Sequence, residues 1–396
     1  MEPDGLEASF DVLVVGGGNA GLSVAARLLR RGIASVAVIE PMSVHTYRPL
    51  LSYVGGGQAA QSSAERTQES VTPPGCTWLQ DAVAAVSTDT HIVQCASGRL
   101  YRYGVLVLAT GLVPDDDALP GIDDAVNWPS VASNYLDHAE KTWELVQSLP
   151  SGGRAVFTVP RPPVSCTGTT LKPLFLAAAH WRRTGRLPGV HITLVVDRPS
   201  LLGVPEIDGR LATLLDELDV HVRYDTTVLS VEPEGVLLSD NDSEKVQFDM
   251  LHLVPPFRGP RWLEDCGLAA DDAHGLVGVD PLTLRHREHP DVWALGDVAT
   301  VDTDPSGGAL RKQTAVLADN ILAVRDGGRL TRYDGYTVAP VATDAHHLMF
   351  GEYDRSGAAG SLPFGIDPLT PRRSAWAFDR YALPRMYWNL ILKGRL

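Results

Sequence analysis

Phe10-Asp11-Val12-Leu13-Val14-Val15-Gly16-Gly17-Gly18-Asn19-Ala20-Gly21 is an apolar strand that runs directly into a glycine-rich turn. Leu22-Ser23-Val24-Ala25-Ala26-Arg27-Leu28-Leu29-Arg30-Arg31-Gly32 follows as an amphipathic helix closed by glycine, and Val36 to Ile39 reads as a second strand ending in Glu40. The spacing predicts a βαβ unit that binds a dinucleotide. Gly16 supplies the tight turn, Gly18 lets the backbone approach a pyrophosphate, and Gly21 lets helix and strand touch. Glu40 stands where an acid accepts from a ribose hydroxyl.

Two later stretches decide which dinucleotide. Tyr103-Gly104-Val105-Leu106-Val107-Leu108-Ala109-Thr110-Gly111 is a strand entering a threonine–glycine turn. Pro290-Asp291-Val292-Trp293-Ala294-Leu295-Gly296-Asp297 is another strand, ending in glycine–aspartate. Both resemble the later fingerprints of flavoproteins with two dinucleotide-binding domains, where the Gly-Asp carboxylate holds the ribityl chain. With the first turn they point to FAD.

A second βαβ unit departs from the pattern. Arg154 to Val159 reads as a strand, Thr170 to Gly185 as a helix and His191 to Asp197 as the next strand. The turn between the first two is Pro160-Arg161-Pro162-Pro163-Val164-Ser165-Cys166-Thr167-Gly168. Three prolines remove three backbone donors, and a thiol stands where a phosphate would rest. Asp197 is the acid that a pyridine nucleotide would want, but one carboxylate contributes little without a pyrophosphate cradle. The unit reads as converted from nucleotide binding to sulfur chemistry.

The fold class expected is therefore α/β, with two Rossmann-like domains. Residues 1–118 and 275–334 form a discontinuous FAD-binding domain, 119–273 an inserted second domain carrying Cys166, and 335–396 a C-terminal segment. Asp240 to Lys245 reads as an exposed hairpin turn. The net charge of −14 opposes nucleic acid and anionic lipid as partners. Four scattered cysteines (Cys76, Cys95, Cys166, Cys266) form neither a disulfide scaffold nor a metal site. The start, Met1-Glu2-Pro3-Asp4-Gly5, has no signal-peptide character, and no apolar run nears the roughly 20 residues of a membrane span. A cytoplasmic protein is expected, with at most weak peripheral contact with a membrane; a homo-oligomer is left open.

The motifs with their flanks resemble the sulfide:quinone oxidoreductases along nearly the whole chain. The resemblance rests on Glu40-Pro41, His45-Thr46-Tyr47-Arg48-Pro49-Leu50, Val54-Gly55-Gly56-Gly57 and Ser133-Asn134-Tyr135. It continues through Glu140-Lys141-Thr142-Trp143, Arg311-Lys312-Gln313, Tyr333-Asp334-Gly335-Tyr336-Thr337 and Tyr387-Trp388-Asn389. It implies an FAD enzyme that oxidises sulfide, or a small thiol or persulfide, and passes electrons to a quinone or another acceptor. For the FAD it implies Gly16, Gly18, Asn19, Ala20, Gly21, Glu40, Pro41, Pro49, Val83, Ala109, Thr110, Gly111, Gly296 and Asp297.

In that family two cysteines flank the flavin: one attacks sulfide-derived sulfur and the other passes electrons inward. Cys166 matches the first, whereas Ala339 stands where the second is expected, and no cysteine follows Cys266. Pro305 stands where close relatives carry a lysine, and the chain stops at Lys393-Gly394-Arg395-Leu396 where the family continues into an amphipathic membrane helix.

Cys166, just before a helix, is expected to have a lowered thiol pKa and to act as nucleophile. Lys312 is expected to stabilise negative charge on reduced flavin. His45 and the His346-His347 pair are read as structural, and Trp376, Phe378, Tyr381, Tyr387 and Trp388 as core packing. Two other readings remain: an NAD(P)H-dependent quinone or flavin reductase, and a non-catalytic flavin-binding relic.

Overall fold

The computed structural model describes residues 5–233, 235–239, 245–358 and 367–396. The start Met1 to Asp4 and most of the expected hairpin turn, Asp240 to Glu244, lie outside the described residues.

The chain is α/β, as its patterning predicts. One seven-stranded sheet has the order Cys76–Leu79, Val36–Ile39, Leu6–Val15, Leu100–Leu108, Ile92–Cys95, Val83–Ser87, with Val292–Ala294 also paired to Leu100–Leu108. The pairings from Cys76–Leu79 to Leu100–Leu108 are parallel, and so is that of Val292–Ala294. Parallel strands place all their carboxyl ends on one edge, where crevices for ligands form. Val12 to Val15 and Val36 to Ile39 are all buried, as expected of strands covered on both faces. The helix Asn19–Arg30 packs on this sheet through Leu22, Val24, Ala25 and Leu28.

A second, five-stranded parallel sheet has the order Val131–Ala132, Met250–His252, Arg154–Val159, His191–Val196, Val220–Arg223. An antiparallel pair, Thr337–Ala342 with Leu348–Asp354, adds Ala339, Val341, Met349 and Tyr353 to that sheet's core.

The expected helix from Thr170 is broken in two, Thr167–Thr170 and Lys172–Arg183. Pro173 lies in the first turn of the second piece, where its missing N–H costs nothing. The C-terminal run from Arg373 to Ile391 is helical and contains two π-helical turns, Phe378–Ala382 and Tyr387–Ile391. Among the described residues, no helix is long and apolar enough to cross a membrane.

Candidate active site

The first glycine turn has the geometry of a dinucleotide cradle. Gly16 has φ +104°, and a Cβ there would stand 2.3 Å from the Ala109 carbonyl oxygen. A Cβ on Gly21 would stand 1.8 Å from the Gly16 oxygen, so helix and strand close only with glycine. A Cβ on Gly18 would meet nothing within 4 Å. That side of the loop is open, and Gly18 begins a helix with no side-chain cap and no acid in its first turn. Bare N–H groups and the helix dipole there suit a pyrophosphate. These residues fit FAD.

Several of the remaining residues expected to hold FAD lie near the same edge. Gly296 (φ +77°) sits beside the Ala20 methyl, and its N–H donates to Gln313 Oε1 at 2.8 Å. Ala109 N–H donates to the Val15 carbonyl, which sets Thr110 and Gly111 next to Gly16. Glu40 Oε2 accepts from Gly17 N at 2.8 Å and Oε1 from Met42 N at 2.9 Å, fixing the acid at the strand end. Pro41 follows directly, Pro49 lies in the short helix Arg48–Leu50, and Val83 begins the outermost strand, four residues beyond Leu79.

His45 has a structural part that its sequence neighbourhood does not reveal. Its Nδ1 is 3.1 Å from the Gly17 carbonyl and its Nε2 is 2.5 Å from the Tyr387 hydroxyl. A carbonyl can only accept, so Nδ1 is assigned the proton and Tyr387 donates to Nε2. Burial lowers the pKa of His45, which keeps the ring neutral. The C-terminal helix is thereby tied to the nucleotide loop.

Cys166 lies across from this edge. It has φ +58°, precedes a helix of only four residues, and is partly exposed. Thr169 Oγ1 donates to Cys166 Sγ at 3.1 Å. Burial pushes the thiol up, opposed by the Thr169 hydroxyl and the charge of Lys172. This departs from the expectation of a lowered pKa: desolvation outweighs the hydroxyl and the ammonium. Asp297 shares this corner, its carboxyl raised by burial, an effect that the nearby Ser165 side chain and Arg48 oppose. Burial also raises the Tyr135 phenol, and the negative charges of Cys166 and Asp297 push it the same way. The residue before the thiol therefore lies near the acid of the Gly-Asp turn.

Ala339 is 2% exposed. A Cβ on Gly168 would stand 2.6 Å from its methyl, and Cys166 Sγ is 3.9 Å from the Val338 carbonyl oxygen. The position expected for a second cysteine thus packs against the Cys166 loop, but it offers a methyl group. Burial pushes Cys76 and Cys95 up to about 12 and 11, and Cys266 Sγ accepts from Val86 N.

Lys312 lies on the outer side of its helix. It is about half exposed, its Nζ is 2.6 Å from Asp334 Oδ2, and it lies 4.3 Å from the Tyr336 ring centroid. In the helix Gly307–Asp326 the inward positions include Leu310, Gln313, Thr314 and Leu317. Position 312 therefore points outward, and Gln313 takes the inner place.

Lys172 was missed by the sequence reading. It is fully buried, with Nζ 2.9 Å from Asp379 Oδ2, and the Tyr53 hydroxyl donates to the same oxygen at 2.6 Å. A π-helical turn aims Asp379 inward. Only the lysine, next to the Cys166 segment, was within reach of sequence reasoning; its partner is 207 residues away.

The second sheet's crevice is filled by the chain itself. Arg161 Nη2 pairs with Asp115 Oδ2 at 2.6 Å, and Asp197 Oδ1 already accepts from the Thr227 hydroxyl at 2.7 Å. The cavity that Arg161, Asp197, Thr227 and Pro160 line is about 40 Å³, room for water and not for a dinucleotide.

Residues 10–323 match the pyridine nucleotide-disulphide oxidoreductase family model. The chain is thus an FAD-dependent oxidoreductase of that class. Within the class it belongs to the sulfide:quinone oxidoreductase family. It is 31% identical over 394 residues to the mitochondrial sulfide:quinone oxidoreductase of Mus musculus, covering 97% of this chain and 87% of the mouse protein. The sulfide:quinone oxidoreductase structure from Aquifex aeolicus superposes with a TM-score of 0.81 at 18% identity, over 97% of this chain and 91% of that one. A chain in the Tetrahymena thermophila mitochondrial ATP synthase structure gives 0.85 at 20% identity, over 100% and 99%, a likeness of fold alone.

Proposed function

We propose that this protein oxidises sulfide, or a small thiol or persulfide, with electrons entering at Cys166 and leaving to a quinone or another acceptor. The observation that carries this is the nearness of the Cys166 loop to the Gly-Asp turn, where Ser165 is close enough to lower the proton affinity of the Asp297 carboxyl. When bound, FAD would be held by the Gly16–Gly21 loop, Glu40 and Asp297, and it supplies a two-electron acceptor. The Thr169 hydroxyl and the Lys172 ammonium offset part of the desolvation that disfavours the Cys166 thiolate, the form that attacks sulfur. Ala339 leaves the resolving role to a thiol or sulfide from solution, so the chain is read as a one-cysteine variant of its family.

The filled second crevice weighs against NAD(P)H as donor, because the groups a nucleotide would need are already paired. The test is anaerobic addition of sulfide, a low-molecular-weight persulfide, NADH and NADPH in turn to the FAD-loaded protein. Loss of the flavin absorption band is expected with a sulfur donor alone. Bleaching by NADH would favour a reductase, and no bleaching by any donor, with dithionite still effective, would favour a non-catalytic flavoprotein.

A further inference from the structure

We propose that Arg161 is a positioning residue for Cys166: through Asp115 it clamps the loop that carries the thiol to the strands by which the chain passes between its two sheets. The proposal rests on Cys166 being the point where electrons enter, as in the proposed function.

The loop has little backbone support of its own. Among the described residues, no backbone N–H from Pro160 to Cys166 donates to a backbone carbonyl. Pro160, Pro162 and Pro163 have no N–H to give. Thr169 N donates to the Cys166 carbonyl at 2.9 Å only where the loop ends. Side chains therefore hold the segment. Val164 is buried in a small cluster with Val254 and Phe257. Arg161 supplies the polar tie: its Nη2 donates to Asp115 Oδ2 at 2.6 Å, and its Nη1 donates to the Pro162 carbonyl at 3.1 Å and lies 3.5 Å from the Phe257 carbonyl oxygen.

Asp115 and Phe257 belong to one frame. Val113–Pro114 pairs antiparallel with Phe257–Arg258, and Asp115 N donates to the Pro256 carbonyl at 2.9 Å. The first of these strands follows Leu100–Leu108 on the way to the second sheet, and the other follows Met250–His252 on the way back to Val292–Ala294. Arg261 and Arg258 brace the frame against Asp117, at 2.5 and 3.6 Å. Arg198, which reaches Thr167 Oγ1 at 3.1 Å and the Pro160 carbonyl at 3.4 Å, ties the loop only to its own sheet. Arg161 ties it to the chain's passage toward the sheet that bears the FAD cradle.

The pair is sheltered: the Asp115 side chain is 8% exposed and that of Arg161 24%. Asp115 Oδ1 has no hydrogen-bond partner among the described residues, so the carboxylate depends on Arg161. Removing the guanidinium alone leaves a buried charge unpaired, whereas removing both charges does not. That difference separates positioning from stability.

The test compares FAD-loaded wild type, Arg161→Gln, Arg161→Lys and the double variant Arg161→Gln with Asp115→Asn. Anaerobic flavin reduction is followed against sulfide concentration, with dithionite reduction as the control for the flavin and thermal melts for the fold. Alkylation of Cys166 by iodoacetamide at fixed pH, read from the mass of its peptide, reports the thiol without redox chemistry. The double variant should melt near the wild type and be reduced normally by dithionite. Its limiting rate with sulfide should fall about ten- to a hundredfold, the cost of a reacting group displaced by about 1 Å, with little change in the half-saturating sulfide concentration. Its Cys166 should alkylate faster, because the freed loop exposes the thiol. Arg161→Lys, which keeps the charge and loses the second arm of the fork, should fall between.

A folded double variant that matches the wild type in both sulfide rate and alkylation overturns the proposal. Should that variant not fold, Arg161→Lys decides, and wild-type values for it overturn the proposal. Faster alkylation in the variants of a protein that sulfide does not bleach would uphold the clamp and remove the oxidase reading alone. Equal bleaching of wild type and variants, with alkylation unmoved, would remove the clamp alone.

Discussion

Two lysine–carboxylate pairs in this protein have similar lengths and should differ several-fold in worth. Lys172–Asp379 is 2.9 Å long with both side chains at most 3% exposed, and Lys312–Asp334 is 2.6 Å long with both about half exposed. Asp379→Ala would leave an ammonium in the core with no counter-charge, a loss of about 3–5 kcal/mol. The Tyr53 hydroxyl would lose its acceptor as well. Asp334→Ala should cost about 0–1 kcal/mol, because water solvates the freed lysine. Replacing the buried group by apolar side chains (Lys172→Met, Asp379→Leu, Tyr53→Phe) should restore most of the loss, since desolvation of the pair is then avoided. Equilibrium denaturant unfolding with FAD in fixed excess measures all three. If Asp379→Ala matches Asp334→Ala within about 1 kcal/mol, burial is not what sets the worth of the pair, and the reasoning fails.

Gly18→Ala should fold and lose FAD affinity, because its added methyl enters the open side of the cradle, whereas Gly21→Ala should lose fold and FAD together; thermal melts and FAD titration separate the two. Thr169→Val removes a donor that holds the Cys166 thiol down, so its alkylation profile with iodoacetamide should move to higher pH, the thiolate being the reactive form. An unmoved profile would mean that the hydroxyl does not act on the sulfur. Ala339→Cys places a thiol against the Cys166 loop. Mild oxidation should then remove two titratable thiols and two hydrogens of mass; persistence of both thiols would show that position 339 does not face Cys166.

The first βαβ unit was legible because its signals are local: strand, glycines, helix and acid lie within 31 residues, and Gly16 and Gly21 answer to steric requirements in the structure. The loss of the second cradle was legible for the same reason, in three prolines and a cysteine. The proton affinity of Cys166 was misjudged, because helix continuity across Leu171 and the depth of burial depend on packing. Within the motif Arg311-Lys312-Gln313, only the helix register shows that Gln313 turns inward and Lys312 outward. Lys172 with Asp379, and His45 with Tyr387, are joined across 207 and 342 residues. No spacing rule reaches that far.

Rapid anaerobic mixing of sulfide with FAD-loaded wild type and Cys166→Ser tests the central claim most directly. The account predicts that both proteins are equally yellow and that the wild type loses its flavin band while the variant keeps it. A variant bleached by sulfide as fast as the wild type would show that electrons do not enter through Cys166.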